Sequence, residues 1–267
     1  MFKVVRELRK ASDSRKPIVV GGARELADAL RRELVRDGDA SAVRSGSADG
    51  AAALVYVLAH ELTEADEREL RRADERGVPI VVLGPEPTTP IPYVLATEVI
   101  PLRAGEGFPI AELATLLGGK LDEDATQIAA RLPVLRRGIV EALISRVARQ
   151  NGILGAAIFV PGADFPVLTL NQLRLVLRLA QAHGHELDAQ RAPEILGVIG
   201  GGLGFRALAR QALSVVPVAG WAVKGAVAYT GTRAMGEAAL RYFEARDQVD
   251  GSSRGRPEFR APGANRT

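Results

Sequence analysis

Apolar and polar positions along the first half of this chain fall into repeating blocks. Residues 17–20 (PIVV) form an unbroken apolar run, and ARELADALRREL (23–34) follows with apolar positions at helical spacing. The pair recurs as AALVYVLA (52–59) with TEADERELRRADERG (63–77). A third apolar run, VPIVVLG (78–84), leads through a Pro-rich loop to TEVIPL (97–102) and the helix FPIAELATLLGG (108–119). Nearly continuous apolar strands with helices between them predict a parallel sheet covered on both faces.

After Lys120 the alternation stops and only helical patterns follow. In LDEDATQIAARLPVLRRGIVEALISRVARQN (121–151), Asp122, Glu123 and Asp124 sit near the start, where negative charge suits the helix dipole. Pro133 is expected to kink or split this helix. Two further helical regions follow, 152–184 and 192–244, both rich in Gly and Ala. Met1 to Lys10 puts Phe2, Val5 and Leu8 on one helical face among Lys and Arg. Such a helix either lies on an anionic bilayer or packs on its own domain. From Asp247 onward Gly, Ser, Pro and Arg predominate, the composition of a disordered tail. The predicted organisation is a basic helix (1–16), an α/β domain (17–120), an all-α domain (121–246) and a tail (247–267).

Composition narrows the function classes. With 267 residues and 47% hydrophobic content, the chain can bury a real core. There is no cysteine, which excludes disulfides, thiol catalysis and Cys-ligated metals. The net charge is only +3 and the arginines are scattered, which argues against a nucleic-acid partner. The N-terminal residues lack the apolar core of a signal peptide, so a cytoplasmic location is expected.

The stretch PIVVGGARELADALRREL (17–34) has the shape of a phosphate-binding loop, a strand passing through Gly21 and Gly22 into a helix. The phosphate-loop pattern G-x-x-x-x-G-K-[ST] requires a second glycine at position 26 or 27, but Leu26 and Ala27 stand there. Ala27 or Asp28 occupies the place of the lysine, and no Ser or Thr follows to hold magnesium. GPEP (84–87) stands where a GTPase would read guanine with Asn-Lys-x-Asp, and no D-x-x-G precedes 52–59. The loop is therefore read as degenerate, with no cofactor and no catalytic residue assigned. Of the three histidines, His183 and His185 lie beside Glu186 and Asp188, but their spacing matches no helical ligand pair, so no metal site is assigned. His60 is expected at a strand end, before the helix opened by Thr63.

Two apolar segments, FVPGADF (159–165) and VVPVAGW (215–221), share a Val-Pro-x-Ala-x-aromatic pattern. Pro161 and Pro217 cannot continue a preceding helix and mark two hairpin tips. Asp164 is expected to cap the helix starting near Pro166. Neither segment offers an uninterrupted span of about 20 apolar residues. Two readings stand side by side. The hairpins either form a soluble bundle with Gly/Ala-lined contacts, or insert shallowly with Trp221 and Tyr229 at the interface and Lys224 snorkelling.

Residues 132–243 resemble the domain of unknown function at the C-terminus of YcjF-type bacterial membrane proteins, copies of which also follow Era-like GTPase domains. PGADFP (161–166), LNQLR (170–174) and a P-x-x-G before an alanine-rich helix ending T-x-x-x-G (232–236) carry the resemblance. It implies a P-loop-GTPase-like three-layer domain in front of a Gly/Ala-rich helical-hairpin domain, and membrane association for some members. The expected function is a non-catalytic, membrane-associated or scaffold protein. Its contacts with a membrane or membrane protein would be made by Pro161, Asp164, Phe165, Pro217, Trp221 and Lys224, with homo-oligomerisation as a further expectation. The alternatives are an active GTP-binding switch with an atypical loop, and a wholly soluble helical scaffold.

Overall fold

The computed structural model describes residues 15–103, 105–157, 165–185 and 221–254, with backbone alone for 165–166, 221–223 and 250–254. Strand β1 (Ile18–Gly22) runs into helix α1 (Arg24–Leu34), and β2 (Val43–Arg44) follows. Then come β3 (Ala53–Val57), α2 (Glu64–Glu75), β4 (Ile80–Gly84), β5 (Val99–Pro101) and α3 (Ile110–Lys120). Helices α4 (Ala125–Arg131), α5 (Pro133–Ala157), α6 (Phe165–Ala182) and α7 (Trp221–Arg254) complete the described chain.

The five strands are all parallel, in the order β2-β1-β3-β4-β5. Side chains alternate between the faces of a strand. Ile18, Val20, Val55, Val57, Val81 and Leu83 accordingly join Leu30 and Leu34 of α1 and Leu113 and Leu117 of α3 in one core. Val19, Leu54, Tyr56, Ile80 and Val82 turn the other way, onto Leu70 and Ala73 of α2. The expected sheet with helices on both faces is present. The sequence reading passed over β2, whose two residues are too few to make a period.

Helix α2 begins where Thr63 predicted. The Thr63 hydroxyl accepts from the Asp66 N–H, and the Asp66 carboxylate accepts from the Thr63 N–H, so two end groups are satisfied reciprocally. The other oxygen of Asp66 accepts from the Tyr56 hydroxyl at 2.8 Å, which ties the cap to β3. Burial works against the ionised Asp66, but the bonds from Thr63 and Tyr56 outweigh it and hold its carboxyl below the usual range. Thr63→Ala removes the cap and is expected to cost about 1 kcal/mol, read as a lowered denaturation midpoint with unchanged slope.

Pro133 splits the long helix as expected: α4 ends at Arg131 and Pro133 is the first residue of α5. Three other readings are corrected. The boundary at Lys120 does not separate two cores, because the core on the α1 face continues through Leu113 and Leu117 to Ile139 and Leu143 of α5, Leu175 and Leu179 of α6, and Phe243 of α7. Helix α3 covers the sheet and also crosses α5 closely: a Cβ on Gly118 would lie 2.7 Å from the Ala142 Cβ, and one on Gly138 2.6 Å from the Ala114 Cβ. The tail does not begin at Asp247, since α7 continues to Arg254 and Asp247 is ion-paired. Lastly, Gly152–Ala157 extends α5 rather than opening the next helical region. The basic helix read over Met1–Lys10 and the tail beyond Arg254 lie outside the described residues.

Helices α5, α6 and α7 form a bundle in which α6 and α7 run parallel to each other and antiparallel to α5. Asn151 of α5 meets Asn171 of α6, while Gly155, Ile144 and Arg136 of α5 meet Ala228, Gly236 and Asp247 of α7 in that order. Helix α5 starts beside the sheet unit, where Asp39 bonds Arg131, and at 1.5 Å per residue its 25 residues rise about 37 Å. The end of α5 and the starts of α6 and α7 therefore lie together at the far end of the bundle.

Candidate functional site

Ligands in open parallel sheets bind outside the carboxyl ends of the strands, where neighbouring strands send their helices to opposite faces. Here that place lies between β1, which feeds α1, and β3, which feeds α2. Gly21 and Gly22 stand there, and both are spent on packing. Gly22 has φ +95°, and a Cβ on it would lie 2.0 Å from the carbonyl oxygen of Val57. Gly21 faces the Tyr56 ring, 3.2 Å from where its Cβ would be. The next residue, Ala23, donates its N–H to the Val57 carbonyl at 2.8 Å, and α1 starts at Arg24. A single residue between strand and helix leaves no ring of backbone N–H groups to surround a phosphate. The degenerate loop of the sequence reading is a tight strand-to-helix joint, pressed against β3.

Open space lies instead to one side of β1. A cleft of about 800 Å³ is floored by Val20, Gly21 and Gly22 with Leu54 and Tyr56. One wall is α1, with Arg24, Asp28 and Arg31; the other is α2, with Glu69, Arg72 and Glu75, and its C-cap Arg76; the loop after β2 closes the side. Three arginines are held by carboxylates: Arg31 by Asp28 at 3.3 Å, Arg72 by Glu69 at 2.8 Å and Arg76 by Asp49 at 3.1 Å. The loop keeps its own shape, with Arg44 donating to the Asp49 carbonyl and Asp49 N–H to the Ser47 hydroxyl. Arg24 is exposed at the head of α1 and makes no ion pair among the described residues.

The histidine pair has a structural use. His183 is buried at the end of α6, and its Nδ1 lies 2.7 Å from the Asp247 carboxylate, whose same oxygen accepts from Arg136 at 2.9 Å. Phe243 stacks on His183 and lies against His185. Burial pushes the His183 pKa down, against the pull of Asp247. Glu186 and Asp188 lie outside the described residues, and no metal-ligating cluster occurs among the described ones. His60 is exposed after β3.

Of the residues expected to contact a membrane or partner, Pro161, Asp164 and Pro217 lie outside the described residues. Phe165 and Trp221 are the first residues of α6 and α7, so the two hairpin segments both join the far end of the bundle. Lys224 is half-buried in the first turns of α7, its carbonyl 3.2 Å from where a Gly155 Cβ would lie. Near this end Ile153 is 69% and Val167 42% exposed.

Below the tip lies a polar network not foreseen from sequence. Buried Asn151 donates to the hydroxyl of buried Thr232 at 2.9 Å and accepts from Asn171 at 2.8 Å, and Gln172 donates to Thr232 at 3.2 Å. The LNQLR and T-x-x-x-G segments thus meet across the bundle, the one supplying Asn171 and Gln172, the other Thr232 and Gly236. A Cβ on Gly236 would lie 2.7 Å from an Ile144 methyl. Both segments serve helix register and close approach. Among the described residues no helix is long and apolar enough to cross a membrane. No protein-family model and no curated protein matches this chain.

Proposed function

We propose that this protein is a non-catalytic adaptor on the cytoplasmic face of a membrane, in which a GTPase-like sheet unit without a phosphate loop serves for recognition and the bundle is the anchor. The observation that carries the reading is the convergence of three helix ends at one end of the bundle. The apolar segments 159–165 and 215–221 both attach there, beside exposed Ile153 and Val167. Exposed apolar side chains such as Ile153 and Val167 at the end of a helical bundle favour shallow insertion into a bilayer. Gly21 and Gly22, packed on β3, support recognition without nucleotide chemistry.

Flotation of the full chain with vesicles containing anionic lipid tests this. The wild-type chain is expected to float and to stay bound in high salt, since apolar burial is not screened as exposed charge is. Ile153→Asp with Val167→Asp is expected to reduce the bound fraction about tenfold, the effect of roughly 1.4 kcal/mol. A chain that never floats, and instead self-associates with rising concentration, is the soluble scaffold and sinks the proposal.

A further inference from the structure

The cleft beside β1 has the form of an unfinished sheet. Strand β1 has five residues, but β2 pairs with Ile18 and Val19 only, through Val43 and Arg44. In a parallel strand each residue directs its N–H and C=O to the same side, and successive residues alternate sides. Ala23 donates to Val57, and Pro17 accepts from Ala52, so the odd-numbered residues here face β3. Val20 and Gly22 therefore face the opposite edge; the Val19–Arg44 pairing takes up the Val20 N–H, so the Val20 C=O and the Gly22 N–H lie beyond the last β2 pair, and both residues floor the cleft. After Arg44 the chain turns away at Gly46, whose φ is +98°. An unpaired edge is a template for another strand.

From this edge we infer that the cleft receives an extended peptide segment of a partner protein, which adds to the sheet beside β1 in the line of β2. A backbone floor with mostly charged walls suits a polypeptide better than a small molecule, whose pockets are predominantly apolar. The volume of about 800 Å³ is enough for a few extended residues. Residues of an added strand face α1 and α2 alternately. On the α1 side, Arg31 already has Asp28 while Arg24 has no carboxylate among the described residues, so the favoured segment carries an Asp or Glu there. This gives the recognition role proposed above a definite site and ligand class, and rests on that role.

The test is made on the full chain in solution without lipid, which keeps its outcome separate from that of vesicle flotation. A displayed library of random linear peptides is selected on the protein, and the enriched peptides are synthesised and titrated. Enrichment of acidic, β-forming sequences is expected, with amide exchange at Gly22 slowed in the complex. Arg24→Glu is expected to weaken these peptides at least tenfold. Ser45→Trp, which fills the exposed side of the cleft, is expected to abolish binding. Circular dichroism of both variants shows that each is folded. No enrichment, or peptides that bind the folded Ser45→Trp protein as well as wild type, would overturn the inference. Enrichment seen only after residues 255–267 are removed would also overturn it, by giving the groove to this chain's own tail.

Discussion

Gly22→Ala is expected to lower stability by about 3–5 kcal/mol, the range reserved for strain combined with a backbone collision. Two costs coincide at this residue. Its φ of +95° lies outside what a side chain adopts without strain, and the new methyl would stand 2.0 Å from the Val57 carbonyl oxygen. That oxygen belongs to β3, the central strand, and also accepts the Ala23 N–H that starts α1. No flexible side chain is available to yield. The nearby Gly46 makes the control: its φ is +98° but nothing lies within 4 Å of its Cβ position. Gly46→Ala should therefore cost only the conformational part, about 1–2 kcal/mol. Urea unfolding of both variants separates the two terms. Equal losses would mean that the contact with Val57 contributes nothing.

The second large effect concerns the foot of the bundle. Asp247→Ala removes one carboxylate that serves both Arg136 and buried His183. The Arg136 and Asp247 side chains are 19% and 32% exposed, so the loss should fall below that of a fully buried pair, at about 2–3 kcal/mol. A pH dependence accompanies it. His183 has a folded pKa below its ordinary 6.5, first through burial and further through Arg136, while Asp247 and Glu244 act the other way. As pH falls below about 6.5 the unfolded chain takes a proton that the folded chain refuses, so stability drops on acidification. This contribution is fully present above pH 6.5 and declines toward the folded pKa. His183→Asn should flatten the melting temperature between pH 7 and 5.5. An unchanged acid slope in that variant would assign the slope to other groups.

At the acid end Asp39 acts in the same direction. Bonds from Ser41 and Arg131 hold its carboxyl down to about 2. Its contribution is therefore present above 3.8, the unfolded value, and is lost as pH falls toward 2. Because Asp39 is 45% exposed, its weight is small beside that of the buried groups.

Strands β1, β3 and β4 were legible because each is apolar along nearly its whole length, as strands covered on both faces must be. The break at Pro133 and the start of α2 at Thr63 were legible from local chemistry. What escaped depends on partners far along the chain. The two glycines have the same appearance in sequence whether they surround a phosphate or press against Val57, and only the approach of β3 decides. Asn151, Asn171 and Thr232 are ordinary polar residues until the bundle brings them together across 20 and 81 positions. The end of α7 was mistaken for a tail because Gly251, Ser252 and Ser253 weaken the helical pattern, while Asp247, which fastens it, sits 64 residues from His183.

The core that runs from the sheet through α3 into the bundle has a consequence for how this protein can be divided. A fragment ending at Lys120 would expose the side of α3 that meets α5, and a fragment starting at residue 121 would lose the surface on which α5 rests. Neither half keeps a closed interior, so the described residues are expected to melt in a single transition. Occupancy of a surface on the sheet then raises the free energy of opening the far end of the bundle by the same amount, through mass action alone and without any change of shape.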